Sequence, residues 1–101
     1  MTWRAVRRGE VWLINGARER LGLIISSDIF NETEVPVLIV AEVTDRHELR
    51  DSPLSVPLGE YVVMPDRLSS PLKRWFTERV EVADTETMQR VSRALRILQD
   101  L

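Results

Sequence analysis

Between Pro36 and Thr44 the chain reads PVLIVAEVT, apolar over most of its length on both alternating faces. Successive side chains of a strand point to opposite sides of a sheet, so a strand of this kind must be covered on both. A chain of 101 residues has to find that cover within a single domain, residues 1–101. The C-terminus offers part of it, because the hydrophobic period changes there. Met88, Val91, Leu95, Leu98 and Leu101 recur at spacings of three and four, and Ala94 and Ile97 widen the stripe, the pattern of an amphipathic helix. Asp84 stands where an N-cap belongs, its carboxylate able to accept the free N–H groups of the first turn. Arg90, Arg93 and Arg96 fall toward the polar side and read as a solvated face.

Strand signals fill the rest. Glu10–Asn15 (EVWLIN) is β-branched and aromatic and is closed by Gly16. Leu21–Ser27 follows after a short polar link, residues 16–20. Residues 53–58 and 60–64 form a hairpin hinged at Gly59. Pro65 has no N–H to give to a ladder, so the second arm is expected to stop there. Phe76–Val82 (FTERVEV) alternates as a last strand. The expected fold is mainly β with a C-terminal helix (α+β), a small antiparallel β-barrel or sandwich closed by that helix.

Composition removes several function classes. There is no cysteine, hence no disulfide and no thiolate metal site. One histidine, His47, and scattered carboxylates give no metal-ligand spacing, and no cofactor is expected. No Gly-rich phosphate loop is present, and Ser26-Ser27 lacks a nucleophile elbow. The N-terminal arginines are not followed by the apolar stretch of a secretory signal. The longest apolar run, residues 35–41, is far too short for a membrane span, so a cytoplasmic location is expected. The formal net charge of −2 is unevenly spread. Over residues 1–20, Arg4, Arg7, Arg8, Arg18 and Arg20 face only Glu10 and Glu19, whereas residues 28–51 are strongly acidic. A uniformly basic nucleic-acid binder is excluded; a local basic groove is not.

Five segments in order carry a family resemblance. Arg8-Gly9-Glu10-Val11-Trp12-Leu13 resembles the first-strand signature of the MazF/PemK toxins, basic-Gly-acidic-aliphatic-aromatic. Arg20 followed by Leu23-Ile24-Ile25-Ser26-Ser27-Asp28-Ile29-Phe30-Asn31 resembles their Arg-Pro-x-x-Val-Ile-Ser-Asn-Asp-x-x-Asn segment. Leu38–Thr44 is similar to their third strand, which ends in Thr. Tyr61-Val62-Val63-Met64-Pro65-Asp66-Arg67-Leu68 is similar to a strand leading into an Asp/Gln-rich segment, and residues 88–95 match the terminal helix. The first loop is shorter than is usual in the family, Leu21-Gly22 stands at its proline position, and Tyr61 replaces a small residue.

The resemblance implies a type II toxin: a metal-independent endoribonuclease that cleaves single-stranded RNA through the substrate's own 2′-hydroxyl, works as a homodimer and is held by a MazE-like antitoxin. It implies that Arg20 stabilises the phosphorane charge, the task a guanidinium performs well, and that Thr44 bonds the same phosphate. Arg18, two residues before Arg20, faces the same side if the segment is extended. RNA contacts are implied for Arg18, Ser26, Asn31, Arg46 and Arg67. His47 in a polar loop reads as a surface histidine rather than a base. Trp12 reads as packing; Trp3 and Trp75 are able to stack a base, though burial is the commoner use of such rings. Two other readings stay open: a gyrase-poisoning toxin of the CcdB kind, which shares the architecture but needs a Trp-Gly C-terminus where this chain has Leu98-Gln99-Asp100-Leu101, and a barrel that has lost catalysis and only binds a partner.

Overall fold

The computed structural model describes residues 6–46, 48 and 52–99; His47, Trp3 and Leu101 lie outside the described residues. Six strands form one sheet: β1 (Glu10–Asn15), β2 (Glu19–Ile24), β3 (Val40–Thr44), β4 (Val56–Leu58), β5 (Tyr61–Ser69) and β6 (Phe76–Val82). Their spatial order is β4-β5-β3-β2-β1-β6, every pairing antiparallel. The sheet curls into a half-barrel. A one-turn helix, α1 (Asp28–Asn31), lies between β2 and β3, and the long helix α2 (Thr85–Gln99) ends the fold.

Strand alternation sorts the core into two clusters. On one face Val11, Leu23, Ala41, Val43 and Val63 pack with Val91 of α2, supported by Met88 and Leu95. On the other, Trp12, Ile14, Ile24 and Val40 gather with Val6, Leu38 and Phe76. β3 feeds both, as its two apolar faces require. Each fully buried aliphatic side chain contributes about 1.5–3 kcal/mol, so β3, with Val40, Ala41 and Val43 buried, is held from both faces. Gly22 makes the second cluster possible. A Cβ there would lie 2.8 Å from Ile14 Cδ1 and 3.0 Å from Val40 Cγ2, so the bare backbone lets β1 and β3 side chains meet across β2.

β1 and β6 have the bounds that their sequence pattern predicts. β2 starts two residues earlier than expected and ends at Ile24. The expectation that Pro65 ends its strand is overturned: β5 continues to Ser69. The ladder with β3 pairs Glu42 with Met64 but Ala41 with Leu68, so Pro65, Asp66 and Arg67 form a bulge in which no ladder N–H is asked of the proline. A bulge is one of the few places where a strand tolerates proline. Helix α2 begins as its sequence suggests, Asp84 Oδ1 accepting the Thr87 N–H at 2.8 Å. Arg8 fastens it to the sheet, its Nη2 reaching Ser92 Oγ at 3.2 Å and its Nε the Ile25 carbonyl at 3.0 Å.

The entry to β1 is tied by one buried carboxylate. Glu10 accepts from the Arg7 N–H at 2.9 Å, Trp12 Nε1 at 3.0 Å and Arg79 Nη1 of β6 at 3.0 Å. Burial alone would raise its pKa; the bonds from Trp12, Arg7 and Arg79, with the Arg79 charge, outweigh it and hold the group below its ordinary 4.5. A carboxyl more acidic in the folded than in the unfolded chain adds stability that is complete above the unfolded pKa and disappears as pH falls through the folded one. Thermal unfolding followed from about pH 7 down to pH 3 should therefore show a melting temperature that drops on the acid side. Glu10→Gln should be less stable by about 1–3 kcal/mol at neutral pH and approach wild type toward the acid end, so that its acid-side decline is shallower. Parallel profiles for the two proteins would exclude this role.

Candidate active site

The second core cluster stops short of one end of the sheet, and there the same face turns polar. Leu21 pairs with Val43 across β2 and β3; continuing that antiparallel register by one residue sets Arg20 opposite Thr44. Directly opposed residues share a face, with Cβ atoms about 4.5–5.5 Å apart. Arg20 also pairs with Ile14 of β1, which fixes its side chain on the Ile14 face, away from α2. Thr44 and Glu42 alternate onto that face along β3. Arg20 is half-buried.

Three further arginines reach this end from separate elements. Arg18 lies in the tight β1–β2 turn, residues 16–18, which the Asn15–Glu19 pairing closes. Arg67 sits in the β5 bulge, and Arg46 follows β3. Arg18, Arg46 and Arg67 line a cleft of about 260 Å³ with Thr44, Glu42, Val43 and Met64. Glu42 is at its centre. Its Oε2 accepts from Arg67 Nη1 at 3.3 Å, and its Oε1 lies 3.8 Å from Arg18 Nη2. Thr44 Oγ1 accepts from the Arg46 N–H at 3.2 Å, while the Arg46 guanidinium engages Glu48 at 2.9 Å. Arg18 and Arg67 remain 77% and 56% exposed against 24% for Glu42. Their donor groups therefore face solvent around a shielded carboxylate, and a phosphate chain can approach them from outside.

Sequence reasoning singled out Arg18, Arg20, Thr44, Arg46 and Arg67; four of them, Arg18, Thr44, Arg46 and Arg67, line this cleft, and Arg20 lies on the neighbouring strand without lining it. That reasoning missed Glu42, whose only signal was a charge interrupting the most apolar strand. A larger recess of about 790 Å³ opens elsewhere, among Val6, Arg7, Asn31, Val35, Leu72 and Lys73. It shares no residue with the arginine cleft. Trp12 is buried against Phe76, the rings edge-to-face at 6.4 Å, and Trp75 packs on the same cluster. Among the described residues, no three His, Cys, Asp or Glu side chains converge as a metal-ligating group.

The fold is thus a half-barrel with a C-terminal helix and an arginine-lined cleft at one strand end. Residues 7–99 match the family model of the PemK-like, MazF-like toxins of type II toxin–antitoxin systems. The chain belongs to that family. Solved structures with the same fold include an endoribonuclease from a mycobacterial species (TM-score 0.85, 20% identity, 100% of this chain and 97% of that one). An endoribonuclease in complex with its cognate antitoxin, also mycobacterial, aligns at TM-score 0.80 with 20% identity over 97% of this chain and 96% of that one. A MazE–MazF complex from Deinococcus radiodurans aligns at TM-score 0.80 with 23% identity over 97% and 98%. A search of curated protein sequences finds no significant match.

Two residues expected at the RNA surface lie elsewhere. Ser26 and Asn31 follow the far end of β2, beyond Ile24, whereas Arg20 stands near its start, and they are only 9% and 3% exposed. Ser26 Oγ donates to Asn31 Oδ1 and accepts the Ile39 N–H at 3.2 Å; Asn31 Nδ2 donates to the Ser26 carbonyl at 3.0 Å. Their polar atoms are spent on pinning α1 to the sheet, which corrects the expectation of RNA contact. Asn31→Ala leaves buried partners unsatisfied at a cost of about 1–3 kcal/mol, so its melting temperature should fall by at least about 4 °C. Calorimetry showing an unchanged transition would return Asn31 to the list of surface candidates.

Proposed function

We propose that this toxin is a metal-independent endoribonuclease acting on single-stranded RNA in the cytoplasm. The observation that carries the reading is the convergence of Arg18, Arg46, Arg67 and Thr44 on one cleft, with Arg20 one residue beyond the Leu21–Val43 pair that ends the β2–β3 ladder. The similarity in fold to solved endoribonucleases supports it. Cleavage through the 2′-hydroxyl needs a fixed phosphate and a positive environment for the charge that develops on its oxygens. Guanidinium groups supply both, by paired hydrogen bonds and permanent charge. Arg20, half-buried where the other described arginines are exposed and paired with Ile14, takes the transition-state role. Thr44 holds the same phosphate from its hydroxyl, and Arg18, Arg46 and Arg67 steer the flanking phosphates.

Purified toxin should cut single-stranded RNA in the presence of EDTA and leave a 2′,3′-cyclic phosphate and a 5′-hydroxyl. A 2′-deoxy nucleotide at the scissile position should stop the reaction. Arg20→Ala should lower the rate by about 10²-fold or more, the scale of losing one transition-state donor, with its melting temperature unchanged. Cleavage of the deoxy substrate would overturn the mechanism. A folded protein that cuts no RNA would point instead to a toxin acting on a protein target.

The assembly follows the same reading. Relatives of this fold have been crystallised with MazE or with a cognate antitoxin, and we assign this chain a MazE-like antitoxin and a homodimeric state. A chain of this size buries a modest share of its surface alone, and two-fold pairing is the commonest remedy. An acidic, partly apolar antitoxin tail suits the exposed Arg18 and Arg67 and competes there with RNA. Isothermal titration of the tail encoded by the neighbouring gene should show weaker binding to Arg18→Ala/Arg67→Ala than to wild type. The affinity for wild type should fall as salt is raised, because exposed charges are screened over about 10 Å at 0.1 M. Equal affinity for both forms would place the tail on another surface, and sedimentation of only an 11.7 kDa species at micromolar concentration would remove the dimer.

A further inference from the structure

We propose that Glu42 is the general base of the cleavage reaction; the assignment rests on the endoribonuclease reading above. The reaction needs an acceptor for the 2′-hydroxyl proton beside the phosphate-holding groups. The cleft is lined by Arg18, Glu42, Val43, Thr44, Arg46, Met64 and Arg67. Guanidinium does not give up its proton near neutrality, a threonine hydroxyl is a poor acceptor, and valine and methionine carry nothing basic. Glu42 is the one side chain among these able to take a proton.

Its geometry fits the task. Glu42 projects from a strand paired on both sides, opposite Gly22 and opposite Met64, so its stem is fixed while its head reaches the cleft. The two oxygens are held differently. Oε2 accepts a hydrogen bond from Arg67; Oε1 has Arg18 at 3.8 Å, an ion-pair contact beyond hydrogen-bond reach. One oxygen is anchored by a hydrogen bond, and the other, in an ion-pair contact alone, is left able to accept a proton. The 2′- and 3′-oxygens of a ribose sit on adjacent carbons, so a phosphate bound between Arg18 and Arg67 brings its 2′-hydroxyl within a few ångströms of that oxygen. General bases act at such hydrogen-bond range, about 2.6–3.2 Å.

The step balances without an external reagent. The 2′-hydroxyl proton passes to Glu42 Oε1 as the O2′–P bond forms. The P–O5′ bond breaks, and the leaving oxygen takes a proton from water on the open side of the cleft. The hydroxide so formed recovers the proton from Glu42. The products are the 2′,3′-cyclic phosphate and the 5′-hydroxyl, and the carboxylate is restored.

Among the described residues, the charged groups paired with Glu42 are arginines, Arg18 from the β1–β2 turn and Arg67 from β5, and Arg46 after β3 lines the same cleft. Asp45 and Asp66 flank the cleft but do not line it, and His47 lies outside the described residues. The acid limb of the pH–rate profile therefore identifies the base. Single-turnover cleavage should be measured across pH for wild type, Glu42→Gln, Glu42→Asp and Arg20→Ala, with RNA affinity and melting temperature for each. The expectation for Glu42→Gln is a rate lower by about 10²- to 10⁴-fold, RNA affinity equal or tighter, and a rate that keeps rising in proportion to hydroxide without the levelling-off that ends the wild-type acid limb. Glu42→Asp should keep the acid limb at reduced rate. If Glu42→Gln cuts at the wild-type rate, or keeps the wild-type acid limb, the assignment falls, and Glu42 is only a countercharge to Arg18 and Arg67. If wild type cuts RNA and Arg20→Ala is impaired, that failure touches Glu42 alone. A wild-type protein that cuts no RNA removes both readings together.

Discussion

The cleft exists because β3 is paired along both edges and covered on both faces only as far as Val40 on one side and Val43 on the other. Beyond that cover, the pleat continues but the packing does not. Glu42 and Thr44 occupy the face that the Trp12–Ile14–Ile24–Val40 cluster leaves open, and Val43 between them stays locked in the core beneath α2. Alternating positions of one strand thus divide the labour. The inward residue holds the strand rigidly in the core, and the two outward residues inherit that rigidity as functional groups. A site on a central strand is positioned more firmly than one on a loop, and β3 lies inside the sheet, paired with β2 and β5.

The bulge in β5 is the second condition. A regular ladder would have carried residues 65–67 along β3 with side chains alternating across the sheet. Three extra residues opposite the Ala41–Glu42 step swing the chain outward instead, and Arg67 reaches the Glu42 carboxylate. Pro65, buried and unable to bond, suits the position where pairing lapses. An irregularity that costs a few backbone hydrogen bonds delivers a guanidinium to a place no regular strand position reaches. Bulges beside functional sites commonly re-aim a side chain in this way.

Much of this was legible in the residues. Alternation located β1 and β6 to the residue, and the change of period at Asp84 located α2, because both signals come from burial on a single face. Pro65 misled for a definite reason: the rule that proline ends a strand presumes a regular ladder, and ladder register is a long-range property. α1 escaped because one turn of helix carries no period of its own. Ser26 and Asn31 are polar in sequence and sit in a motif-bearing segment, but motif spacing does not say which way a side chain points. Here each satisfies the other in the interior. Glu42 was the reverse case. In sequence it belongs to an acidic stretch and looks solvated. Only the pairing of β3 with β2 and β5 shows that it is shielded and ringed by arginines drawn from a turn, a bulge and a strand end.

The short first loop then takes on a structural meaning. With β2 starting at Glu19, the turn is only Gly16, Ala17 and Arg18, too few residues to close over a substrate. It is also braced from outside: a Cβ at Gly16 would lie 2.8 Å from Trp75 Cε3, so the indole rests directly on the turn backbone. Trp75 belongs to the 3-10 turn that launches β6, and β6 is bound to β1 and, through Arg79, to the buried Glu10. The backbone that presents Arg18 is therefore continuous with the stiffest part of the sheet. What a longer loop would achieve by folding onto RNA, this turn achieves by holding still, leaving only the Arg18 side chain to adjust. Less ordering entropy is lost when substrate binds, and an arginine anchored in this way belongs to the cleft before the substrate arrives.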